Sequence, residues 1–124
     1  MKPWDSQTEP EFVNFVQDLK ARFALGDAKA GFILLAVFDP NNEAIPREWR
    51  QRIGASDSKC HKTCVETFKL LQSAARSGDG ESMHLIAQYY QCGMPPVDQD
   101  MEQFREWCER AVNAGYVFAA NDLD

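Results

Sequence analysis

Residues 74–90 read AARSGDGESMHLIAQYY, and this stretch holds the end of one predicted helix, a sharp turn and the start of the next helix. Gly78 ends the first helix, because glycine adopts the left-handed backbone of a helix end without steric cost. Parts of the stretch recur: Gly26 is also followed by aspartate, and Gly115 also closes an alanine-containing segment. Gly115 lies 37 residues after Gly78, whereas Gly78 lies 52 residues after Gly26. Recurrence at such intervals is typical of stacked helical repeats, and the longer interval predicts an insertion in residues 39–59.

Apolar residues recur at helical spacing in nearly every long segment, and we find no sustained strand alternation. At the first helix, Thr8 is a candidate N-cap, Glu11 completes a capping box, and Pro10 lies where its missing N–H is not needed. Aspartates, glycines and prolines mark the later helix ends. The predicted helical segments are 8–25, 27–38, 46–53, 59–76, 79–91 and 98 or 99 to 114, followed by further turns in 116–123. The predicted fold class is all-α.

The composition predicts one folded domain: the chain has 124 residues, of which 44% are hydrophobic and 26% charged. These values are ordinary for a globular protein and unlike those of a disordered chain. The longest apolar stretch, residues 31–38, is far shorter than the ~18–20 residues that cross a bilayer. The first residues carry acids and a proline where a secretory signal needs an apolar run. We therefore expect a cytoplasmic protein that does not enter a membrane.

The net charge of −6 falls entirely in the second half of the sequence. Residues 1–62 contain nine basic and nine acidic residues, whereas residues 63–124 contain four basic and ten acidic residues. An acidic surface repels phosphate groups, so we expect no nucleic-acid partner and no membrane partner. Such a surface attracts a basic protein; the alternative is a solvated helix face that keeps the chain soluble.

The four cysteines, at positions 60, 64, 92 and 108, are expected to be reduced and mostly buried thiols. Cys60, His61 and Cys64 have the spacing of a candidate zinc site, but a structural zinc needs four converging ligands. On a helix, His61 points roughly 100° away from the face that the two cysteines share. No hydrolase, metalloprotease or nucleotide-binding motif is present. We expect no catalytic residue, no metal and no cofactor. The alternative function is a thiol- or metal-dependent enzyme that uses Cys60, His61 and Cys64.

The recurrence from Gly78 to Gly115 resembles the Sel-one-like repeat (SLR), a relative of the tetratricopeptide repeat. The matching residues are Ala74, Ala75, Gly78, Ile86, Ala87, Tyr90, Gly93, Val97, Asp100, Trp107, Ala111 and Gly115. The earlier interval matches at Gly26, Ala30, Leu34 and Phe38, and at Ala74 and Ala75 at its end. The chain departs from the family pattern at Ser82, Ala87, Pro95, Pro96 and Phe104, and residues 1–19 do not match.

This resemblance implies a short right-handed superhelix of antiparallel helix pairs, because no single pair buries its apolar face alone. It also implies a protein-binding scaffold without catalytic residues. Residues 1–25 then form an N-terminal helix and residues 26–77 a first repeat with the insertion at 39–59. Residues 78–114 form a second repeat, and residues 115–124 a truncated capping repeat.

In related repeats the first helix of each pair lines the concave face, and this geometry predicts a groove for a protein partner. Its residues are Lys29, Phe32, Ile33, Ala36, Glu81, His84, Leu85 and Gln88. Phe32, Ile33 and Leu85 are expected at the apolar centre, with charged and polar residues near the rim. The alternative is that further helices cover these apolar residues.

A second candidate surface lies in the insertion, at Arg47, Trp49 and Arg50. Tryptophan and arginine are the residue types that most often dominate interface energies. The alternative is that Trp49 and Ile53 share one face of a short helix and cover the core.

Two functions fit these observations. The first is a non-enzymatic interaction module, monomeric or homodimeric, that holds a protein partner. The second is an immunity or inhibitor protein that neutralises a basic secreted bacterial toxin or effector, since small stand-alone SLR proteins resemble such antidotes. The acidic second half would speed capture of a basic toxin by electrostatic steering.

Overall fold

The computed structural model describes residues 7–123, and these residues form six α-helices and one 3-10 helix without any strand. The α-helices are α1 (Glu9–Ala24), α2 (Ala28–Phe38), α3 (Arg47–Arg52), α4 (Asp57–Arg76), α5 (Gly80–Cys92) and α6 (Met101–Asn113), and the 3-10 helix is Val117–Asp122. The predicted all-α class is confirmed. None of the helices within 7–123 combines the length and the apolar character that crossing a bilayer requires.

The helix starts at α1 and α2 use the predicted caps. The hydroxyl of Thr8 accepts from the backbone N–H of Glu11 at 3.4 Å and donates to the Glu11 carboxylate at 2.9 Å. At α2, the carboxylate of Asp27 accepts from the backbone N–H groups of Lys29 and Ala30 at 3.1 and 3.2 Å. Each cap satisfies donors that have no partner inside the helix.

The start of α6 differs from the prediction of residue 98 or 99, because the helix begins at Met101. The cap is Asp100, whose carboxylate accepts from the backbone N–H groups of Glu102 and Gln103, both at 3.1 Å. Asp98 and Asp100 both precede the helix, and the sequence pattern alone does not show which of the two is the N-cap.

Five helix ends share one backbone closure. The closing glycines are Gly26, Gly54, Gly78, Gly93 and Gly115, with φ of 95°, 73°, 94°, 68° and 98°. The N–H of the residue after each glycine donates to the carbonyl five positions before it, at 2.9 to 3.2 Å. This is the Schellman arrangement, which needs the left-handed backbone that glycine adopts readily. Gly26 and Gly78 lead into α2 and α5, whereas Gly115 leads into the 3-10 helix.

The chain divides into two compact units, residues 1–63 and 64–124. In the first unit, α1 packs against α2 and α3. Its core consists of Phe12, Val16, Leu19, Ala30, Leu34, Val37, Phe38, Ile45 and Ile53. Phe12, Val16 and Leu19 form the buried face of α1 at the predicted helical spacing.

In the second unit, α5 packs against α6, and the 3-10 helix packs against α6. One core cluster consists of Ala87, Phe104 and Cys108, with Tyr90, Trp107 and Leu123 packed around it. The rings of Phe68 on α4 and Tyr89 on α5 have centroids 5.0 Å apart. The buried hydroxyl of Tyr89 donates to the carbonyl of Cys64 at 2.7 Å, which joins α5 to α4 within this unit.

Candidate functional site

On the first unit, the four predicted groove residues lie on the outer face of α2. Ile33 is 38% exposed, Ala36 is exposed, and Lys29 and Phe32 are half-buried. The remaining face of α2 supplies Leu34 and other residues to the core. An apolar helix therefore keeps a large aliphatic side chain, that of Ile33, exposed to solvent.

The three candidate residues of the insertion have different environments. Arg47 is exposed, whereas Trp49 is half-buried with its ring centroid 5.2 Å from that of Phe12. The Nη1 of Arg50 donates to the carbonyl of Pro40, so this guanidinium joins α3 to the loop that follows α2. Trp49 covers the core of the first unit, and of the three side chains Arg47 is the one most open to solvent.

On the second unit, the predicted residues Glu81, His84, Leu85 and Gln88 are all half-buried on α5. Their spacing of three and four residues places them on one side of the helix. His84 has a structural contact: its Nε2–H donates to the carboxylate of Asp122 in the 3-10 helix at 2.5 Å. His84 therefore helps to hold the C-terminal segment.

Next to His84 lies an apolar surface that sequence reasoning missed, the C-terminal patch, which consists of Tyr116, Val117 and Phe118. Val117 is 65% exposed and Phe118 is 67% exposed. The Tyr116 ring lies 5.5 Å from the His84 ring and 5.5 Å from the Phe118 ring, measured between centroids. The sequence signal was present, since three large apolar residues follow the helix-ending glycine, but residues 115–124 were assigned only to a cap.

Three side chains with metal-ligand chemistry converge in the second unit. One ligand atom from each of His84, Cys108 and Asp122 lies within 4.8 Å of the others. Cys108 is fully buried, whereas the side chains of His84 and Asp122 are 13% and 41% exposed. They come from α5, α6 and the 3-10 helix, so only the tertiary fold brings them together.

The Cys108 thiol is not suited to nucleophilic catalysis. Burial raises the pKa of Cys108 to about 11, and the charge of Asp122 contributes to the increase. Without a bound cation the thiol is therefore protonated at neutral pH, and the thiolate is the reactive form. A neighbouring histidine alone does not make Cys108 a catalytic residue.

The residues of the predicted enzyme alternative lie along α4. Cys60 is half-buried and its thiol donates to the carbonyl of Leu35 at 3.5 Å, while His61 is exposed. Burial raises the pKa of the Cys64 thiol, although its hydrogen bond with Tyr89 acts in the opposite direction. These environments favour protonated structural thiols over an activated nucleophile.

The second unit also contains an open cleft with a volume of about 380 Å³. It is lined by Gln72, Ala75, Arg76, Met83, Trp107 and Arg110. The guanidinium carbon of Arg110 lies 4.5 Å from the centroid of the Trp107 ring, which is a cation–π distance. Two of the four basic residues of this acidic unit therefore lie at one cleft.

No protein-family model, curated protein or solved structure matches this chain. The resemblance to the SLR family therefore rests on the residue pattern quoted above and stays a prediction. The candidate functional residues lie on the outer face of α2, on the outer face of α5, in the C-terminal patch, and in the group of His84, Cys108 and Asp122.

Proposed function

We propose that this chain is a non-enzymatic interaction module that binds a basic protein partner. The observation that carries the proposal is the C-terminal patch, where Val117 and Phe118 are about two-thirds exposed. Large apolar side chains that stay together in water are typical of interaction surfaces, and aromatic residues often dominate interface energies.

The C-terminal patch is held in place, which favours tight binding. Ala119, directly after Phe118, is fully buried, and its backbone N–H donates to the carbonyl of Tyr116 at 3.2 Å. The hydrogen bond from His84 to Asp122 ties the same segment to α5. A surface that is ordered before binding loses less conformational entropy when the partner docks.

Charge supports a basic partner. The second unit carries the whole net charge of −6, with ten acidic and four basic residues in 64–124. A net negative charge on the unit that carries the patch accelerates encounter with a positively charged partner and disfavours nucleic acids. The expected partner surface is an apolar pocket with lysine and arginine around it.

The finer architecture that we propose is the short right-handed superhelix of antiparallel helix pairs implied by the SLR resemblance. It is supported in the second unit, where α5 and α6, the two helices of the proposed second repeat, pack against each other. The equal closures at Gly26, Gly78 and Gly115 support it as well. The predicted residues of α2 and those of α5 are each a candidate contact face on their own unit.

The test is affinity capture from the native cells with quantitative mass spectrometry, comparing the wild type with Phe118→Asp. We expect one basic protein to be retained by the wild type and lost with Phe118→Asp. Leu25→Asp is the matched control, since Leu25 is 89% exposed and lies between α1 and α2. Loss with Leu25→Asp as well, or retention with Phe118→Asp, would contradict a role of the C-terminal patch.

Two further variants test the groove. If Ile33→Glu and Leu85→Glu release the partner while circular dichroism shows unchanged helicity, the outer faces of α2 and α5 also contact it. If both variants lose helicity instead, these side chains belong to the core and the groove prediction is wrong.

The charge distribution favours one second candidate, an immunity or inhibitor protein that captures a basic toxin or effector. Steered capture predicts an association rate constant that falls by about tenfold or more when salt is raised from low to high ionic strength. Surface plasmon resonance with the purified partner measures this dependence. Expression of the partner should also arrest growth, and co-expression of the wild type, but not of Phe118→Asp, should restore it.

A further inference from the structure

We propose that His84, Cys108 and Asp122 form a binding site for a zinc-type divalent cation. The donor atoms belong to other side chains than those of the C-terminal patch, and His84 is shared with the predicted groove. Each residue contributes a different donor: an imidazole nitrogen, a thiolate sulfur and a carboxylate oxygen. Zn²⁺ binds all three donor types in proteins.

The donor separations lie within about 1.5 Å of those that tetrahedral coordination needs. One donor atom from each residue lies within 4.8 Å of the other two. Tetrahedral Zn²⁺ with ordinary bond lengths holds such donors about 3.3 to 3.6 Å apart. The Nε2 of His84 and the Oδ2 of Asp122 are 2.5 Å apart and need to separate by about 1 Å. Rotation of the partly exposed Asp122 side chain supplies that movement.

The scaffold fixes two of the three ligands. Cys108 is fully buried on α6, in a cluster with Ala87 and Phe104. His84 lies on α5, which packs against α6, and its side chain is only 13% exposed. Ligands on packed helices are positioned more accurately than ligands on loops.

The donor set selects the kind of metal. Mg²⁺ and Ca²⁺ take oxygen ligands, so a site with one sulfur and one nitrogen disfavours both. Binding requires the thiolate: the metal–sulfur bond forms as the Cys108 S–H bond breaks, and the proton leaves to solvent. The exposed side of Asp122 gives the ion an entry path, and water completes the fourth position.

A bound ion would join α5, α6 and the 3-10 helix at one point. The hydrogen bond from His84 to Asp122 already links the 3-10 helix to α5. An ion that binds only the folded chain stabilises it by mass action, so the melting temperature should rise with metal concentration.

The experiment uses the full reduced chain after treatment with a chelator, with Co²⁺ as a spectroscopic probe for Zn²⁺. We expect one equivalent of Co²⁺ to produce a thiolate-to-cobalt charge-transfer band, which Zn²⁺ then abolishes by displacement. Asp122→Asn and His84→Gln should each weaken Co²⁺ binding by more than about tenfold. Loss of a residue that only hydrogen-bonds to a metal ligand already weakens metal binding on this scale. Cys108→Ser should remove the charge-transfer band.

The controls separate this site from the others. Cys92→Ser, Cys60→Ser and His61→Gln should leave the titration unchanged, and so should Phe118→Asp. Asp122→Asn decides the outcome if Cys108→Ser does not fold, because the Asp122 side chain is 41% exposed. A wild type without the band at millimolar Co²⁺ overturns the proposal. So does a band that depends on Cys60 or Cys92 and survives Cys108→Ser.

Discussion

At the scale of single residues, Gly80 explains how closely the elements of the second unit approach each other. A Cβ at this position would lie 2.7 Å from the Cβ of Tyr116 and 3.1 Å from the carbonyl oxygen of Ala111. Real Cβ atoms do not come so near, so the first turn of α5 fits there only without a side chain. The position of the C-terminal patch depends on this contact, because Tyr116 begins the segment that carries it.

Gly80→Ala should therefore lower the free energy of unfolding by about 1–3 kcal/mol, the range for overpacked sites. Urea denaturation followed by circular dichroism measures the change. Gly26→Ala is a useful comparison, since no heavy atom of the described residues apart from its chain neighbours lies within 4 Å of its Cβ position. The φ of 95° at Gly26 then makes the expected loss of stability a backbone effect. An unchanged midpoint for Gly80→Ala would mean that Tyr116 moves away freely.

A second residue-scale feature is the pair of lysines at the Phe38 ring in the first unit. The Nζ atoms of Lys59 and Lys20 lie 4.9 and 5.7 Å from the ring centroid. Burial lowers the pKa of Lys59, and the charge of Lys20 lowers it further. The unfolded chain, with a lysine pKa of 10.5, then binds this proton more tightly than the folded chain does. The contribution of Lys59 to the free energy of unfolding should therefore increase as the pH rises toward 10.5.

Lys20→Gln should raise the pKa of Lys59 toward its ordinary value and reduce this pH dependence. Because Lys20 is exposed and Lys59 is half-buried, solvent screens their repulsion, and the gain in stability at neutral pH should be less than about 1 kcal/mol. NMR titration of the Lys59 side chain checks the pKa, and Lys69→Gln on the second unit is the control. A Lys59 pKa that stays low in Lys20→Gln would assign the shift to burial alone.

At the scale of elements, the helices depend on caps that differ in strength. Asp27 and Asp100 each accept two backbone N–H groups. Asp79, at the equivalent position of α5, makes no such bond, and its carboxylate accepts from the hydroxyl of Ser82 at 2.5 Å. Similar glycine–aspartate junctions therefore start α2 and α5 with different hydrogen bonds.

Asp100→Ala should destabilise the chain by about 1 kcal/mol, the usual value of an N-cap. Asp98→Ala is the matched control, because Asp98 is exposed two residues earlier and loses the same charge. Denaturant titration of both variants separates the effect of the cap hydrogen bonds on the free energy of unfolding from the effect of the lost charge. Equal effects of the two substitutions would refute the assigned cap.

At the scale of the whole molecule, the cysteines report on burial across both units. Cys64 and Cys108 are buried, Cys60 is half-buried and Cys92 is exposed, and all four are free thiols. Accessibility and thiolate fraction together set the rate of alkylation.

With an alkylating reagent at neutral pH, Cys92 should react first, and Cys64 and Cys108 should react only when the chain opens. Mass spectrometry of peptides from timed samples gives the order. In denaturant, the alkylation rates of the four cysteines should become similar. Early labelling of Cys108 in the folded chain would contradict its burial.

Much of the fold could be predicted from the sequence because its signals are local. Thr8 and Asp27 lie beside the amides that they cap, and Gly78 lies at the turn that it closes. The sequence does not distinguish Asp98 from Asp100 as the cap of α6, since both carry the same signal, and the backbone conformation selects Asp100.

The candidate site was predicted less well because its contacts join residues that are distant in sequence. His84 and Asp122 are 38 positions apart, and their meeting depends on how the 3-10 helix returns to α6. The helical spacing predicts that His84 lies at the surface of α5, but it does not indicate that Asp122 is its partner. The exposure of Phe118 likewise depends on the orientation of the 3-10 helix, which buries Ala119 and leaves Phe118 in contact with solvent.

The placement of two tryptophans has a practical consequence. Trp49 stacks near Phe12 in the first unit, and Trp107 lies beneath Arg110 in the second unit. With Trp4, outside the described residues, replaced by phenylalanine, variants that keep a single indole would emit from one unit at a time. Fluorescence would then follow the loss of structure in each part separately, without any attached dye.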